Sequence, residues 1–139
     1  MGRRVTIQGK DGSFGAYVAD AKKKDGPAIV VIQEIFGVNQ VMRDIADSLA
    51  EEGYTAVVPD LFWRIEPGID ITDQTDAEWE KAFSYFKAFN VDKGVEDIAA
   101  TIAWISAVSA IVCSTWVCAS IARTSTVPNL GCGRTSYQR

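Results

Sequence analysis

The sequence predicts an α/β protein in which a β-hairpin is followed by a strand–helix–strand unit and then by two helices. Two apolar runs, residues 27–33 and 54–60, lack polar alternation and are typical of strands covered on both faces. Between and after these runs, apolar residues recur at helical spacing. With 139 residues, 47% of them hydrophobic, the chain has the size and composition of one domain with a buried core.

The first two strands are predicted from an alternating pattern. Residues 5–8 alternate between apolar and polar, residues 10–13 supply turn residues, and residues 14–18 extend again, which is typical of a hairpin. The β-branched run at 27–33 then predicts a central strand of a parallel sheet.

A helix is predicted after this strand, with Asn39 as its N-cap and Gly53 at its C′ position. The second buried strand, residues 54–60, follows directly and completes a βαβ unit. The apolar positions expected to face the core are Val41, Met42, Ile45, Ala46 and Leu49.

Residues 61–74 are predicted to form a loop that exposes Phe62 and Trp63. Thr75 and Glu78 then form the pattern of a capping box at the start of a second helix. The aromatic positions of this helix are Trp79, Phe83 and Phe86, with Phe89 beyond them, and we interpret them as core packing.

A third helix is predicted to bury an apolar stripe that comprises Val91, Val95, Ile98, Ala99, Ile102 and Ile105.

Composition excludes several classes of site. The chain has no histidine, so no Ser-His-Asp or Cys-His-Asp triad and no histidine zinc site can be assembled from it alone. Its net charge of −4 disfavours a general nucleic-acid binder, which needs a positive surface. The three cysteines form neither a disulfide framework nor a pair of CxxC knuckles, so we expect a cytoplasmic protein without a metal site.

Three segments in order carry a family resemblance: VVIQEIFGVN at residues 30–39, RDIAD at 43–47 and GYTAVVPDL at 53–61. The chain resembles the dienelactone hydrolase family of the α/β-hydrolase fold, over the N-terminal half of that sheet. The resemblance implies hydrolysis of small esters or lactones by a Cys-His-Asp triad, without a cofactor.

The resemblance also implies three site residues. Glu34 matches a buried glutamate that controls the ionisation of the nucleophilic cysteine, although a carboxylate here could equally cap a turn. The backbone N–H of Ile35 would donate to the oxyanion, and Phe36 would line the substrate pocket. In some members a basic residue that holds a substrate carboxylate stands at the position of Trp79.

The chain departs from the family pattern after residue 105. All 18 acidic residues lie at or before Asp97, and no Gly-x-Cys-x-Gly-Gly nucleophile elbow follows the third helix, so we assign no nucleophile. We therefore divide the chain into a dienelactone-hydrolase-like partial domain, residues 1–105, and an atypical tail, residues 106–139. For the tail, a shifted reading frame, a truncated gene and a disordered segment remain open.

Three functional interpretations follow. The chain is either an ester or lactone hydrolase, incomplete and inactive as this polypeptide, or a non-catalytic truncated relative. Residues 98–122 hold no charged side chain, so a C-terminal membrane segment is the third and least favoured interpretation. Because half a sheet leaves strand edges without neighbours, we also expect self-association through exposed sheet edges.

Overall fold

The computed structural model describes residues 2–22 and 26–108 and contains one four-stranded mixed sheet. The strands are β1 (Arg3–Gln8), β2 (Ser13–Ala19), β3 (Ala28–Val30) and β4 (Thr55–Pro59), in the spatial order β1-β2-β4-β3. The helices are α1 (Gln40–Glu51), α2 (Asp76–Ala88) and α3 (Val91–Val108). The predicted α/β class, hairpin, βαβ unit and two following helices are confirmed.

The sheet separates two apolar layers. On one face α3 places Ile105 against side chains such as Ile7 and Val57, and on the other α1 places Met42 and Ala46 against Val58 and its neighbours. β1 and β2 pair antiparallel, β2 pairs antiparallel with β4, and β3 runs parallel to β4. Helices on both faces explain why β4 contains no polar alternation.

β3 is shorter than predicted, and within the described residues it is the end strand of the sheet, not a central one. Its pairing with β4 ends where Val31 N donates to Val57 O at 2.8 Å, after which the chain leaves the sheet. The apolar run indicates burial between two helical layers, which also occurs at an edge, so it does not determine strand order.

α1 begins as predicted at Asn39, whose side-chain oxygen accepts a hydrogen bond from Met42 N at 3.2 Å. It ends before Gly53, which has φ of +100°. The predicted inward face is only partly correct, because Val41 and Ile45 are exposed. The buried side chains of α1 are Met42, Ala46 and Ala50. Because two of these three are alanines, the helix can lie close to the sheet.

α2 begins with the predicted capping box, in which Thr75 and Glu78 exchange hydrogen bonds of 2.9 and 3.2 Å. The prediction that its aromatic residues pack in the core is wrong. Trp79, Phe83 and Phe86 are 39%, 47% and 60% exposed, whereas the buried positions are Ala82 and Tyr85.

The interior partner of α2 is Phe62, which is buried and stacks on Tyr85 with ring centroids 5.6 Å apart. The expectation that the loop exposes Phe62 and Trp63 is therefore wrong, since Trp63 is also partly buried. Phe62 is buried because it packs with Ile69 of the same loop and Tyr85 of α2 in a small apolar cluster.

The stripe predicted for α3 is only partly correct. The buried residues of the helix are Gly94, Asp97, Thr101 and Ile105. Ile105 is buried as predicted, whereas Val91 and Val95 are exposed. The cause is Asp97, whose carboxylate accepts hydrogen bonds from Arg64 and, at 2.9 Å, from Trp63 Nε1. A buried carboxylate needs such partners, and their position determines which side of the helix faces inward. The paired carboxylate in turn raises the pKa of Arg64.

α3 continues through Val108, and residues 109–139, which hold most of the predicted tail, lie outside the described residues. Cys113, Cys118 and Cys132 lie in that part as well. In the part of the chain that is described, no helix combines the length and apolarity needed to cross a bilayer. Most of the candidate membrane interval at 98–122 falls outside it.

Candidate functional site

The segment after β3 forms a tight turn over residues 34–37. Gly37 N donates to Glu34 O at 3.2 Å, and Gly37 has φ of +82°, in the region that favours glycine. A Cβ added at Gly37 would lie 2.1 Å from the backbone oxygen of Ile69. The turn therefore requires glycine for its dihedral angle and for the approach of the neighbouring segment.

Hydrogen bonds join the turn to the loop that follows β4. Val38 N donates to Ile69 O at 3.0 Å, and Ile71 N donates to Phe36 O at 3.2 Å. Asn39, besides capping α1, donates from Nδ2 to Ile71 O at 3.0 Å. The end of the turn and the two residues that follow it are thus fixed by hydrogen bonds to residues 69 and 71.

Arg43 adds a side-chain clamp from the first turn of α1. Its Nη1 donates to Val38 O at 2.6 Å and to Asp70 Oδ2 at 2.7 Å, and its Nη2 donates to Gln40 Oε1 at 3.0 Å. The guanidinium is mostly covered, with 17% of its side chain exposed. Its charge is balanced by Asp70, and its donors hold the turn in place.

Ile35 occupies the first central position of the turn. Among the described residues no acceptor takes a hydrogen bond from its backbone N–H. Ile35 is half-buried as a residue, and an N–H in a fixed turn that donates to no protein acceptor is able to donate to an oxygen of a ligand.

Glu34 is exposed in the described structure, which corrects the expectation of a buried glutamate. The buried polar side chain is its neighbour Gln33, whose Oε1 accepts a hydrogen bond from Leu61 N at 2.9 Å. Consecutive side chains of an extended chain point to opposite sides, so the inward orientation of Gln33 directs Glu34 outward. Sequence reasoning missed Gln33.

A cleft of about 260 Å³ opens beside the turn. Its wall is formed by the start of α1, the turn itself and a stretch that sequence reasoning assigned only to a loop. The lining residues are Glu34, Phe36, Asn39, Gln40, Val41, Thr72, Asp73 and Gln74. Two of the three predicted site residues, Glu34 and Phe36, thus lie in one cleft, and Ile35 is between them in the chain.

Phe36 is buried and continues the cleft into a row of aromatic rings. Its ring meets Trp79 edge-on with centroids 5.0 Å apart, and Trp79 lies 5.7 Å from Phe83. Trp79 Nε1 donates to Asp73 O at 3.0 Å, which ties the aromatic row to the cleft wall. The side chains interpreted as core are therefore partly exposed surface next to the site.

The described residues contain no evident metal-binding cluster. Within residues 2–22 and 26–108, no group of three or more acidic or cysteine side chains is placed to hold an ion.

Comparison with known proteins assigns the chain to a family. The dienelactone hydrolase family matches residues 14–118. A protein of Azospirillum brasilense proposed to be a carboxymethylenebutenolidase is 58% identical over 86 residues, which are 61% of this chain and 37% of the relative. The carboxymethylenebutenolidase of Pseudomonas putida is 42% identical over 99 residues, which are 70% of this chain and 42% of the enzyme.

The fold has matching solved structures. The crystal structure of a protein from Klebsiella pneumoniae, proposed to be a dienelactone hydrolase, superimposes with a TM-score of 0.64 at 27% identity. That superposition covers 78% of this chain and 45% of the other. The chain thus spans about two fifths of the length of the curated relatives it matches, in the α/β-hydrolase fold. On these matches, the chain belongs to the dienelactone hydrolase family.

Proposed function

We propose that residues 34–37 form the oxyanion-binding part of a site that hydrolyses small carboxylic esters or lactones. The observation that supports this most directly is the Ile35 amide, which has no acceptor among the described residues and lies in a turn held by Gly37, Arg43 and Asn39. Preorganised N–H donors stabilise the negative oxygen of a tetrahedral intermediate because they need no reorganisation during the reaction.

Phe36 and Glu34 have separate roles in this proposal. Phe36 forms the apolar wall against which the acyl or alkyl part of the substrate packs. Glu34 is exposed at the rim of the cleft, where its carboxylate can accept a hydrogen bond from a polar group of the substrate. The relatives named carboxymethylenebutenolidase support lactones as one substrate type.

This polypeptide alone is proposed to bind such substrates without turning them over. Its 139 residues contain no histidine, and no other side chain serves as a general base with an ordinary pKa near neutrality. The sequence also lacks the glycines of a nucleophile elbow. A non-catalytic relative is therefore the second candidate function, and the absence of histidine is the observation that favours it.

Binding and turnover can be tested separately. We expect a neutral ester, methyl 4-acetoxybenzoate, to shift the amide resonances of Ile35 and Phe36 in a ¹⁵N-labelled sample. A saturable change elsewhere, with these two amides unaffected, would refute the proposed site.

For turnover, we expect no release of p-nitrophenol from p-nitrophenyl acetate above the buffer rate. Catalysis that is lost in Glu34→Ala would overturn the non-catalytic interpretation and support the hydrolase itself.

We also propose that copies of the chain associate through the outer edge of β3, which has no neighbouring strand among the described residues. Residues 26–33 carry no charge that would oppose such pairing, whereas β1, at the other edge, begins with Arg3 and Arg4. Sedimentation analysis should show species larger than a monomer. A monodisperse monomer with a cooperative thermal transition would contradict this expectation. We further propose that the protein is cytoplasmic and binds neither nucleic acid nor membranes.

A further inference from the structure

Among the described residues, the charged side chains that line the cleft are all acidic. Two of its lining residues, Glu34 and Asp73, carry carboxylates, and the remaining polar ones are neutral amides or hydroxyls. Neither lysine nor arginine lines the cleft in the described part of the chain. A bound molecule therefore meets negative charge and neutral hydrogen-bonding groups, together with the apolar surfaces of Phe36 and Val41.

Arg43, which holds the turn but does not line the cleft, does not reverse this charge. Arg43 is paired with Asp70 at 2.7 Å and also donates to Val38 O and Gln40 Oε1. A guanidinium with its charge balanced and its donors directed at protein oxygens contributes little net attraction for a second anion.

The amino end of α1 also reaches the cleft, and a helix N-terminus attracts anions. Here the Asn39 side chain already accepts the hydrogen bond of Met42 N. The macrodipole is equivalent to roughly half a positive charge at this end, which is less than the two full negative charges of Glu34 and Asp73. Among the described residues, the balance of fixed charge in the cleft is therefore negative.

From this we propose that the cleft selects uncharged small esters or lactones over those that carry a carboxylate. The inference rests on the proposed function, since it names the substrate class of the same site. It differs from what the name carboxymethylenebutenolidase says of the relatives, whose lactone bears a carboxyl group.

The test uses a matched pair of esters, methyl 4-acetoxybenzoate and 4-acetoxybenzoate, which differ in one ionised carboxylate. Each is titrated into the ¹⁵N-labelled full chain, and the dissociation constant is read from the Ile35 and Phe36 amides. We expect the neutral ester to bind more tightly; a carboxylate held about 7 Å from the charge of the anionic ester would contribute roughly three- to eightfold at an effective dielectric constant of about 80 to 40. Raising the salt concentration should narrow the difference, because exposed charges are screened.

Variants locate the source of the discrimination. Asp73→Asn should raise the affinity for the anionic ester relative to the affinity for the neutral ester by roughly three- to eightfold. Asp76→Asn removes the same charge from the first turn of α2, outside the cleft lining, and should have a smaller effect.

The outcomes separate the two proposals. If neither ester shifts the Ile35 and Phe36 amides, the proposed function fails. If both esters bind there and the anionic one binds equally well or better, the charge selection is overturned while the proposed function stands. Equal effects of Asp73→Asn and Asp76→Asn would also overturn it, because net charge would then explain the difference.

Discussion

Replacing Gly37 by alanine tests whether the turn depends on close contact with the loop after β4. Alanine at φ of +82° carries a backbone penalty of about 1–2 kcal/mol. Its Cβ would also lie 2.1 Å from Ile69 O, so the two segments must separate. Their hydrogen bonds, Val38 N to Ile69 O and Ile71 N to Phe36 O, are then weakened or lost.

Each of these two hydrogen bonds contributes about 0.5–1.5 kcal/mol. The expected loss in the free energy of unfolding for Gly37→Ala is therefore about 2–5 kcal/mol. Gly68→Ala is the matched control, because Gly68 has φ of +77° and open space where its Cβ would be. It should cost only the backbone penalty.

The assay is urea denaturation followed by tryptophan fluorescence at two protein concentrations, which separates unfolding from association. The unfolded-state effect of Gly→Ala is common to both variants and cancels in their difference. That difference should be about 1–3 kcal/mol. Equal losses for the two variants would show that the approach of Ile69 does not constrain the turn.

Three further predictions concern caps and charges. Asp97→Ala leaves the Trp63 indole and the Arg64 guanidinium without their buried acceptor. It should lower the free energy of unfolding by about 3 kcal/mol. A loss below about 1 kcal/mol would contradict the role of Asp97 as their buried acceptor. Asn39→Ala removes an N-cap and a hydrogen bond to the loop, and should cost about 1–2 kcal/mol in urea denaturation, whereas Asn39→Asp keeps the cap acceptor and should cost less. Hydrogen bonds from neighbouring threonines hold the pKa of Glu78 below its ordinary value of 4.5, so its stabilisation is present above that value and lost as the pH falls through the lower folded-state pKa. Glu78→Gln should flatten the acid limb of the helical circular dichroism signal, and an unchanged limb would refute the role of this carboxylate.

Local patterns predicted the helix starts and the βαβ unit. Asn39 and Thr75 are N-caps in the structure, because capping depends on residues within three positions of the cap. The hairpin followed from alternation and a turn, which are also local.

The inward faces of the helices were not predictable from apolar spacing. α3 buries Asp97 because Arg64, 33 residues earlier in the chain, supplies its counter-charge. An apolar stripe such as the one through Val91 and Val95 gives no information about a partner at that separation.

The candidate site was also predicted only in part. The resemblance pointed to residues 34–36, but residues 72–74, which form another wall of the cleft, carry no motif. Its position depends on the pairing of residues 36–38 with 69–71, which becomes apparent only once the loop after β4 is folded.

The fastening of the turn has a consequence for synthesis of the protein. The hydrogen bonds that hold it join residues between 34 and 71, so they require no contribution from α2 or α3. Closing loops of this length costs little more than closing shorter ones, since the entropic penalty grows only with the logarithm of length. The turn over residues 34–37 can therefore form while the ribosome is still adding the helices that follow.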